Sequence, residues 1–530
     1  MSKSIGLLAI ASLLLFAQPG SISSQRIRED VKYLASDALE GRGVGQRGGV
    51  LATEYIAKQL AQAGAQPAGD DGTYFQKVPL VGVATQPDAQ LSAAVWGKSV
   101  DFKFLDDFVG VNMTQRPEAR FEGDAVFVGH GITAPEWKWD DFKGVDVTGK
   151  ILVLFTNEPN STDPNFFDGQ ALTYYGRWTY KYEEGLRRGA KGVIIIHTTP
   201  TAAYGWNVVR ASWGRETPYV KLGPGEKALS FAGWVSREAG EKLLGLAGKT
   251  VDELLAAAEK PDFKPIDLGI QIRGRIPSKV RDLDTRNVAA IVPGSDPKLK
   301  DEVVIYSAHW DHFGMGEPID GDPIYHGAVD NATGCGILIE LARAWAALPH
   351  KPKRSALFLS VTAEEGGLKG SAYYGSHPLY PASQTAIDLN YDAVFPWGKA
   401  KEIVIAGAER TTALAQAEAI AKRLHLAVKP DRHPEQGHYF RSDHFSMAQA
   451  GIPAFTIGVG SEFAGKPAGW GEKAAQEYTA KHYHQPSDKF QEDWDLTSLA
   501  QAAEFGFILG TEIADQERLP DWRPGDQFHR

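Results

Sequence analysis

Short apolar runs and amphipathic helical patterns alternate over the second half of the chain, and this alternation predicts an α/β fold. Residues 303–306 (VVIY) and 356–359 (ALFL) have the composition of buried strands. Between them, apolar residues recur on one helical face over 336–348, and similar helical patterns occupy 411–424 and 496–513. We therefore predict a mixed, mostly parallel sheet that is flanked by helices.

A different pattern occupies the chain between residues 116 and 264. Short β-rich runs (FEGDAVFVGHGI, GVDVTGKILVLF and GAKGVIIIH) are separated there by Gly and Asp turns. A chain of 530 residues is too long for a single hydrophobic core. We predict that 116–264 form a β-rich domain inserted into a larger domain built from 25–115 and 265–530. The second half of the insert is rich in Trp and Tyr, which form either its core or a lid or substrate-contact surface.

A series of acidic residues and histidines follows the apolar runs. In an open α/β sheet, the loops at the carboxyl ends of the strands form the ligand crevice. A single acidic residue at the end of a strand is readily explained as a solvated loop residue. A whole series beside buried sequence is not, because burying a carboxylate costs free energy unless it is paired or binds a metal. Nitrogen and oxygen ligands of this kind suit catalytic zinc, which keeps a coordination position open for water. The series consists of His309, Asp311, Asp330, Glu364 and Glu365, followed by Asp392 and His484.

The sequence blocks around these residues resemble the catalytic core of peptidase family M28, a family of co-catalytic dizinc peptidases. All the blocks occur in the expected order, and the resemblance covers most of the chain outside the predicted insert. The motifs GVDVTGK and GAKGVIII within 116–264 resemble the protease-associated (PA) domain that is often inserted in this family. The matching motifs of the core are HxD (His309 and Asp311), GAxDN (Asp330), AEExGLxGS (Glu364 and Glu365), NxD (Asp392) and YHxPxD (His484).

The resemblance implies two Zn²⁺ ions and a ligand set for each. His309 and Asp392 would hold one ion, and Glu365 and His484 would hold the other. Asp330 would bridge the two ions. Two zinc ions in such an arrangement lower the pKa of water and polarise a scissile carbonyl group.

The resemblance also implies three catalytic residues. Glu364 would be the general base that takes a proton from water and passes it to the leaving amine. Asp311 is two positions after His309, so in an extended strand end both side chains point the same way, and Asp311 is expected to accept the second imidazole N–H. Tyr439, three residues before Ser442, would stabilise the oxyanion; the alternative for this residue is a packed aromatic side chain.

The expected activity is hydrolysis of the N-terminal peptide bond of peptides. A carboxypeptidase or dipeptidase of the same family is the main alternative, and an arginine cluster near the site would favour recognition of a carboxylate. Arg441 is the one basic residue that the sequence places near the site. A non-catalytic receptor-like homologue and a single-metal glutaminyl cyclase are further alternatives, and the complete ligand set argues against both.

The first 24 residues have the pattern of a secretory signal peptide. Lys3 precedes an apolar stretch that ends near Ala17 and is too short to span a bilayer comfortably. Cleavage is expected either near Ala17 or near Ser23, and an uncleaved anchor is the alternative. The single cysteine, Cys335, excludes an internal disulfide and is interpreted as a packed thiol. We expect an exported protein, periplasmic or extracellular, with no stable membrane insertion after signal cleavage.

Charge and motifs exclude several other functions. The net charge of −10 argues against nucleic-acid binding through a basic face. The chain has neither GxSxG nor HExxH, the signatures of a serine-hydrolase elbow and of the commonest single-zinc protease site. The glycine-rich segment 41–49 lacks a GxxxxGK[ST] motif and follows no predicted strand, so a phosphate site is not expected there.

Overall fold

The computed structural model describes residues 22–529, except Arg432 and Gln527. The predicted signal segment therefore lies, up to residue 21, outside the described residues. Among the residues that are described, no helix combines the length and the hydropathy that a bilayer span requires.

Thirteen α-helices lie in the described ranges. They are α1 (Ser24–Leu34), α2 (Arg47–Ala63), α3 (Trp178–Arg187), α4 (Thr199–Ala202), α5 (Trp206–Trp213), α6 (Arg237–Gly245), α7 (Val251–Ala258), α8 (Thr333–Ala347), α9 (Lys369–Ser376), α10 (Leu414–Arg423), α11 (His444–Gln449), α12 (Trp470–Lys481) and α13 (Thr497–Asp515).

Twenty-four strands lie in the same described part of the chain. They are β1 (Gln66–Pro67), β2 (Phe75–Lys77), β3 (Leu80–Thr85), β4 (Gln90–Val95), β5 (Lys98–Phe102), β6 (Phe108–Val111), β7 (Glu118–Phe127), β8 (Thr133–Ala134), β9 (Trp139–Asp140), β10 (Ile151–Phe155), β11 (Gly192–Ile196), β12 (Thr217–Val220), β13 (Phe231–Val235), β14 (Ile266–Leu283), β15 (Arg286–Val292), β16 (Val303–His309), β17 (Gly314–Ile319), β18 (Asp322–Tyr325), β19 (Ser355–Val361), β20 (Thr385–Asn390), β21 (Glu402–Val404), β22 (Ala427–Lys429), β23 (Ala454–Thr456) and β24 (Gly458–Val459).

A seven-stranded mixed sheet forms the centre of the larger domain. Its order is β1-β15-β19-β16-β20-β23, and β2 also pairs with β15. The four strands β19, β16, β20 and β23 run parallel, whereas β15 and its partners are antiparallel. The strands predicted at 303–306 and 356–359 lie within β16 and β19. The predicted α/β class, with a mixed sheet flanked by helices, is confirmed.

Both faces of this sheet are covered, which explains why its central strands are apolar throughout. Val304 and Tyr306 of β16 point into a core shared with helices α1, α2, α8 and α13. The alternate residues Val303 and Ile305 face a second core that contains Tyr374 of α9. Helix α8 is buried along almost its whole length because it lies between the sheet and its neighbouring helices.

A ten-stranded sheet forms the second part of the molecule. The 18-residue strand β14 pairs with β3, β4 and β7, and four parallel strands, β7, β10, β11 and β13, continue the sheet. The strands of this sheet extend from Leu80 to Leu283, so it is larger than the predicted segment 116–264. Three residues after β14 ends, β15 begins and the chain returns to the seven-stranded sheet.

The glycine-rich segment 41–49 is a packing element between α1 and α2. A Cβ atom at Gly48 would lie 1.9 Å from the carbonyl oxygen of Leu39, so only glycine allows this close approach. Within the segment, Arg42 is fully buried, and its guanidinium group donates to the carbonyl oxygens of Leu34, Trp310, His326 and Gly327 at 2.7–2.8 Å. Arg42 thus ties the N-terminal helices to the ends of β16 and β18.

We expect Arg42→Met to lower the free energy of unfolding by about 3–5 kcal/mol, because four main-chain carbonyl groups lose their buried donor. Urea denaturation followed by circular dichroism measures the change. Arg47→Met is the matched control in the same segment: Arg47 is 67% exposed, and its pair with Glu40 is worth at most about 1 kcal/mol. Equal midpoints for the two variants would contradict this role of Arg42.

Candidate metal centre

Three adjacent parallel strands bring the predicted site residues to one edge of the seven-stranded sheet. His309 is the last residue of β16, Glu364 and Glu365 follow β19, and Asp392 follows β20. Because the order is β19-β16-β20, these side chains emerge side by side. The Nε2 atom of His309 lies 3.3 Å from Asp392 Oδ1 and 3.9 Å from Glu364 Oε2.

Asp330 lies at the centre of this cluster. It belongs to an irregular turn, 328–332, that precedes α8, and its side chain is 6% exposed. Its Oδ1 atom is 3.3 Å from His309 Nε2, and its Oδ2 atom is 3.5 Å from His484 Nε2. The two oxygens of one carboxylate therefore face two different groups of potential ligands.

The second group consists of Glu365 and two histidines. Glu365 Oε2 lies 3.1 Å from His484 Nε2, and Glu365 Oε1 lies 2.5 Å from His312 Nδ1. Two sets of ligand atoms are therefore close enough to surround an ion, His309–Asp330–Asp392 and His312–Asp330–Glu365. His484 adds a third imidazole beside the second set.

Asp488 supports the backbone around Asp330. Its carboxylate is 2% exposed and accepts hydrogen bonds from the amides of Val329 and Asp330 and from the Tyr478 hydroxyl group, at 3.1–3.2 Å. Asp488 is the last residue of the YHxPxD motif that also contains His484. One motif thus supplies a potential ligand and fixes the turn that carries the shared carboxylate.

The protonation of the cluster reflects competition between burial and charge. Burial lowers the pKa of His309, but Asp392 and Glu364 raise it well above its ordinary value. Burial raises the pKa of Asp330, yet hydrogen bonds from His309 and His484 hold it well below its usual range. Burial and the charge of Asp330 raise the pKa of Glu365, but His484 and His312 lower it more strongly, to about 2. Asp330 and Glu365 are thus held in the ionised form, which requires positive charge beside them.

Glu364 differs from the other carboxylates. Burial raises the pKa of Glu364 well above its usual range, and although the charge of His309 lowers it, Glu365 and Asp392 raise it further. Its backbone amide donates to Asp311 Oδ1 at 3.1 Å. A carboxyl group with a raised pKa, placed beside a cluster of ligands, has the properties of a proton-transfer group.

Asp311 lies beside His309 but contacts it differently from the prediction. The Nδ1 atom of His309 is 3.1 Å from the main-chain carbonyl oxygen of Asp311 and 3.9 Å from the carboxylate oxygen Oδ1. The carboxylate instead receives the amide of Glu364. The carbonyl oxygen of Asp311 is therefore placed to fix the imidazole tautomer, while its side chain positions the loop after β19.

Tyr439 is the predicted site residue that the structure does not bring to the cluster. Its hydroxyl group donates to the carbonyl oxygen of Ala454 at 3.4 Å, and its ring packs against Phe440 and His444. A different phenol lies at the cluster: Tyr483 stacks on His484 with ring centroids 3.7 Å apart. Tyr483 was not predicted, because the spacing between Tyr439 and Ser442 does not reveal in which direction a side chain points.

A cavity of about 340 Å³ opens beside the cluster, a volume in the range of small-molecule sites. Glu364, Glu365, Tyr483 and His484 form one side of it, and residues of the ten-stranded part form the other side. The aromatic residues from the ten-stranded part are Tyr174, Trp178, Tyr182, Tyr204, Trp213 and Tyr219. The aromatic second half of the insert therefore lines a cavity as well as a core.

Three further residues of the site were not predicted. His312 follows Asp311 directly, and the second histidine of the HWDH sequence was a signal for it. Tyr483 directly precedes the predicted ligand His484, so the sequence contained a signal for this residue as well. Ser212 of α5, whose hydroxyl group lies 3.3 Å from His484 Nδ1, comes from the insert and gave no signal at all.

Cys335 is a packed thiol. It is fully buried in α8, and its Sγ atom lies 3.1 Å from the carbonyl oxygen of His309, to which it donates. The thiol points to the backbone of β16 and not to the carboxylate cluster, so it supports the strand that carries His309.

Comparison with known proteins places this arrangement in a family. Residues 287–506, which contain all of the cluster, match the model of peptidase family M28. A probable leucine aminopeptidase 2 of Aspergillus oryzae is 27% identical over 397 residues, which are 73% of this chain and 71% of that protein. Aminopeptidase YwaD of Bacillus subtilis is 25% identical over 243 residues, 44% of this chain and 46% of that protein.

The fold has a counterpart among solved structures. An aminopeptidase from Aneurinibacillus sp. strain AM-1 superposes with a TM-score of 0.53 and 19% identity, covering 94% of this chain and 95% of that one. The two chains therefore share a fold along almost their whole lengths. Residues 287–506 thus match peptidase family M28, and this match together with the aminopeptidase relatives indicates an enzyme of the metallo-exopeptidase class.

Proposed function

We propose that this protein is an exported, zinc-dependent aminopeptidase that hydrolyses the N-terminal peptide bond of peptides. The observation that carries the proposal is the position of Asp330, whose two carboxylate oxygens face His309 on one side and His484 on the other. The names of the relatives from Aspergillus oryzae and Bacillus subtilis support the amino-terminal end of the peptide as the point of attack.

The donor set fits a pair of zinc ions. Imidazole nitrogen and carboxylate oxygen are the ligands of catalytic zinc sites, and buried carboxylates in contact require a compensating positive charge. His309 and Asp392 would hold one ion, Glu365 and His484 would hold the other, and Asp330 would contribute to both sites. When bound, the ions supply Lewis-acid chemistry, lowering the pKa of water and polarising a carbonyl oxygen.

The residues of the chain carry out the proton transfers. Glu364 accepts a proton from the attacking water and passes it to the leaving amine, a role for which its position between the cluster and the cavity is suited. The Tyr483 hydroxyl group, and not that of Tyr439, donates a hydrogen bond to the carbonyl oxygen as negative charge develops. The main-chain carbonyl of Asp311 orients His309.

His312 is a positioning residue in this scheme. Its Nδ1 atom contacts Glu365 Oε1, which leaves Glu365 Oε2 for the side that faces His484. A hydrogen bond of this kind fixes the orientation of a ligating carboxylate.

In this proposal the insert forms part of the wall of the active-site cavity. We assign 116–264 to a PA-type domain, together with the flanking strands β3–β6 and β14 that complete its sheet. Ser212 of α5 contacts His484, and Trp178 and Trp213 line the cavity. The insert therefore contributes to peptide binding.

Export rests on the signal pattern of residues 1–24. The contacts of the first described residues favour cleavage near Ala17. Ser23 caps α1, and its backbone amide donates to the buried carboxylate of Glu340 at 2.7 Å. Cleavage after Ser24 would remove both contacts, whereas cleavage near Ala17 preserves them.

A carboxypeptidase or dipeptidase remains the second candidate function, because two arginine residues line the cavity. These are Arg177 and Arg441. The amino-terminal assignment is tested by comparing leucine p-nitroanilide with N-acetylated peptides that end in a free carboxylate. Hydrolysis of only the blocked peptides would contradict it.

Glu364→Gln should lower kcat by about 10²–10⁴-fold, because an amide cannot accept the proton of the attacking water. The variant should keep the metal content of the wild-type protein, since Glu364 is not a ligand in the proposal. The two measurements are leucine p-nitroanilide hydrolysis and metal analysis by mass spectrometry. Glu435→Gln, at a carboxylate that is 55% exposed, is the control. Substantial activity in Glu364→Gln would exclude it as the base.

Asp330→Asn should reduce the zinc content by more than one equivalent per chain, because the variant weakens both sites at once. Wild-type protein should contain two equivalents of zinc, lose activity with a chelator and regain it with added zinc. Asp282→Asn, at a side chain that is 74% exposed, should retain both equivalents. Loss of a single equivalent in Asp330→Asn would show that Asp330 is not shared.

Tyr483→Phe should lower kcat by about 10²–10³-fold with little change in KM, which is the effect of losing one hydrogen-bond donor to the oxyanion. Tyr439→Phe is the matched control, since its hydroxyl group contacts a main-chain carbonyl outside the cluster. Steady-state kinetics on leucine p-nitroanilide distinguish the two variants. The reverse ranking would restore Tyr439 as the oxyanion residue.

A further inference from the structure

Two arginine side chains line the cavity without an ion-pair partner among the described residues. Arg177 precedes α3 in the insert, and Arg441 lies just before α11 in the larger domain. The Nε atoms of both are buried and have no hydrogen-bond partner. Neither guanidinium group makes an ion pair with a carboxylate in the described ranges.

Two buried arginines elsewhere in the molecule have hydrogen-bond partners. Arg354, which is 3% exposed, pairs with Glu302 and donates to main-chain carbonyls, and the buried Arg42 donates to four carbonyls. A buried polar group without a partner costs free energy, so it is normally compensated by an anion or by hydrogen bonds. Arg177 and Arg441 are half-buried, and their buried Nε atoms lack this compensation within the described chain.

No carboxylate of the described residues forms an ion pair with either guanidinium group. Burial and, to a smaller extent, the positive charge of Arg441 lower the pKa of Arg177 to about 10. The guanidinium carbon of Arg441 lies 5.5 Å from the centre of the Tyr204 ring. Glu183, the cavity carboxylate outside the metal cluster, accepts a hydrogen bond from Tyr174. The positive charges of Arg177 and Arg441 are therefore close enough to repel each other.

The metal cluster lies next to this pair. Tyr483 stacks on His484, and both residues line the same cavity as Arg177 and Arg441. The two guanidinium groups therefore face the cavity into which this part of the cluster opens.

We propose that Arg177 and Arg441 together bind a carboxylate group of the peptide substrate, immediately beside the bond that is cleaved. Arginine is suited to this task because its planar fork matches a carboxylate with two parallel hydrogen bonds. The substrate class is therefore short peptides with a carboxylate close to the scissile bond. This carboxylate belongs either to the free C-terminus of a dipeptide or to an acidic side chain. The inference rests on the proposed peptidase activity.

The first test compares matched substrates with the wild-type, zinc-loaded protein. Leu-Leu against Leu-Leu-amide tests the C-terminal carboxylate. Leu-Glu-amide against Leu-Gln-amide, and Glu-Leu-amide against Gln-Leu-amide, test an acidic side chain on either side of the bond. We expect the carboxylate member of at least one pair to have a kcat/KM at least about tenfold higher, as charge-assisted hydrogen bonds imply. Equal values within all three pairs would overturn the proposal.

The second test removes the guanidinium groups. Arg177→Leu and Arg441→Leu should each lower kcat/KM for the preferred carboxylate substrate by about 10–100-fold, with little change for the neutral partner of that pair. Arg177→Lys and Arg441→Lys should show a smaller loss, because an ammonium group keeps the charge but not the planar fork. Arg120→Leu, at an insert residue that is 68% exposed, should keep the wild-type preference. Equal losses on both members of the pair would indicate a structural role and contradict the proposal.

The two tests separate this inference from the proposed function. If the neutral amides are hydrolysed as fast as the acids, the peptidase assignment stands and the carboxylate subsite is wrong. If no member of the panel is hydrolysed by the zinc-loaded protein, both fail. The wild-type comparison needs no variant, so misfolding of a leucine variant does not affect it.

Discussion

The burial of four carboxylates at one edge of a sheet is the constraint on which the rest of this structure depends. These are Asp330, Glu364, Glu365 and Asp392, and none of their side chains is more than 20% exposed. Like charges so close together repel each other, and burial increases the cost. The histidines beside them offset part of this cost, and their nitrogen atoms complete a donor set that suits divalent cations. The parallel arrangement of β19, β16 and β20 is what makes such a concentration of charge possible.

The turn that carries Asp330 is held from two sides. Arg42 donates to the carbonyl oxygens of His326 and Gly327 before the turn, and Asp488 accepts from the amides of Val329 and Asp330 within it. A buried cation and a buried anion therefore fix the backbone of the shared carboxylate, although neither takes part in the chemistry. Segment 41–49, which brings Arg42 into place, needs glycine at Gly41 and Gly48, because its backbone there lies close to the carbonyl oxygens of Tyr325 and Leu39.

The sequence contained enough information to predict which residues gather at the sheet edge. Acids and histidines that follow apolar strands emerge together in an α/β fold, and the order of the motifs added a family resemblance. Side-chain direction was not predictable from spacing, which is why Tyr439 was named and Tyr483 was not. The ten-stranded sheet also contains strands β3–β6, which have no sequence pattern that separates them from the larger domain. Arg177 and Ser212 reach the site although they precede His309 by 132 and 97 residues, and only the packing of the two parts reveals them.

The cavity has an asymmetry of charge that limits what can occupy it. One side holds the carboxyl groups of Glu364 and Glu365, and another part holds the guanidinium groups of Arg177 and Arg441, whose Nε atoms have no hydrogen-bond partner in the described chain. A peptide bond polarised at the first side and a carboxylate bound at the second would fix the peptide at two points. Two-point binding of this kind would align the scissile carbonyl with Glu364 and Tyr483. Since one arginine comes from each part of the molecule, the insert and the larger domain would together position the carboxylate of the peptide.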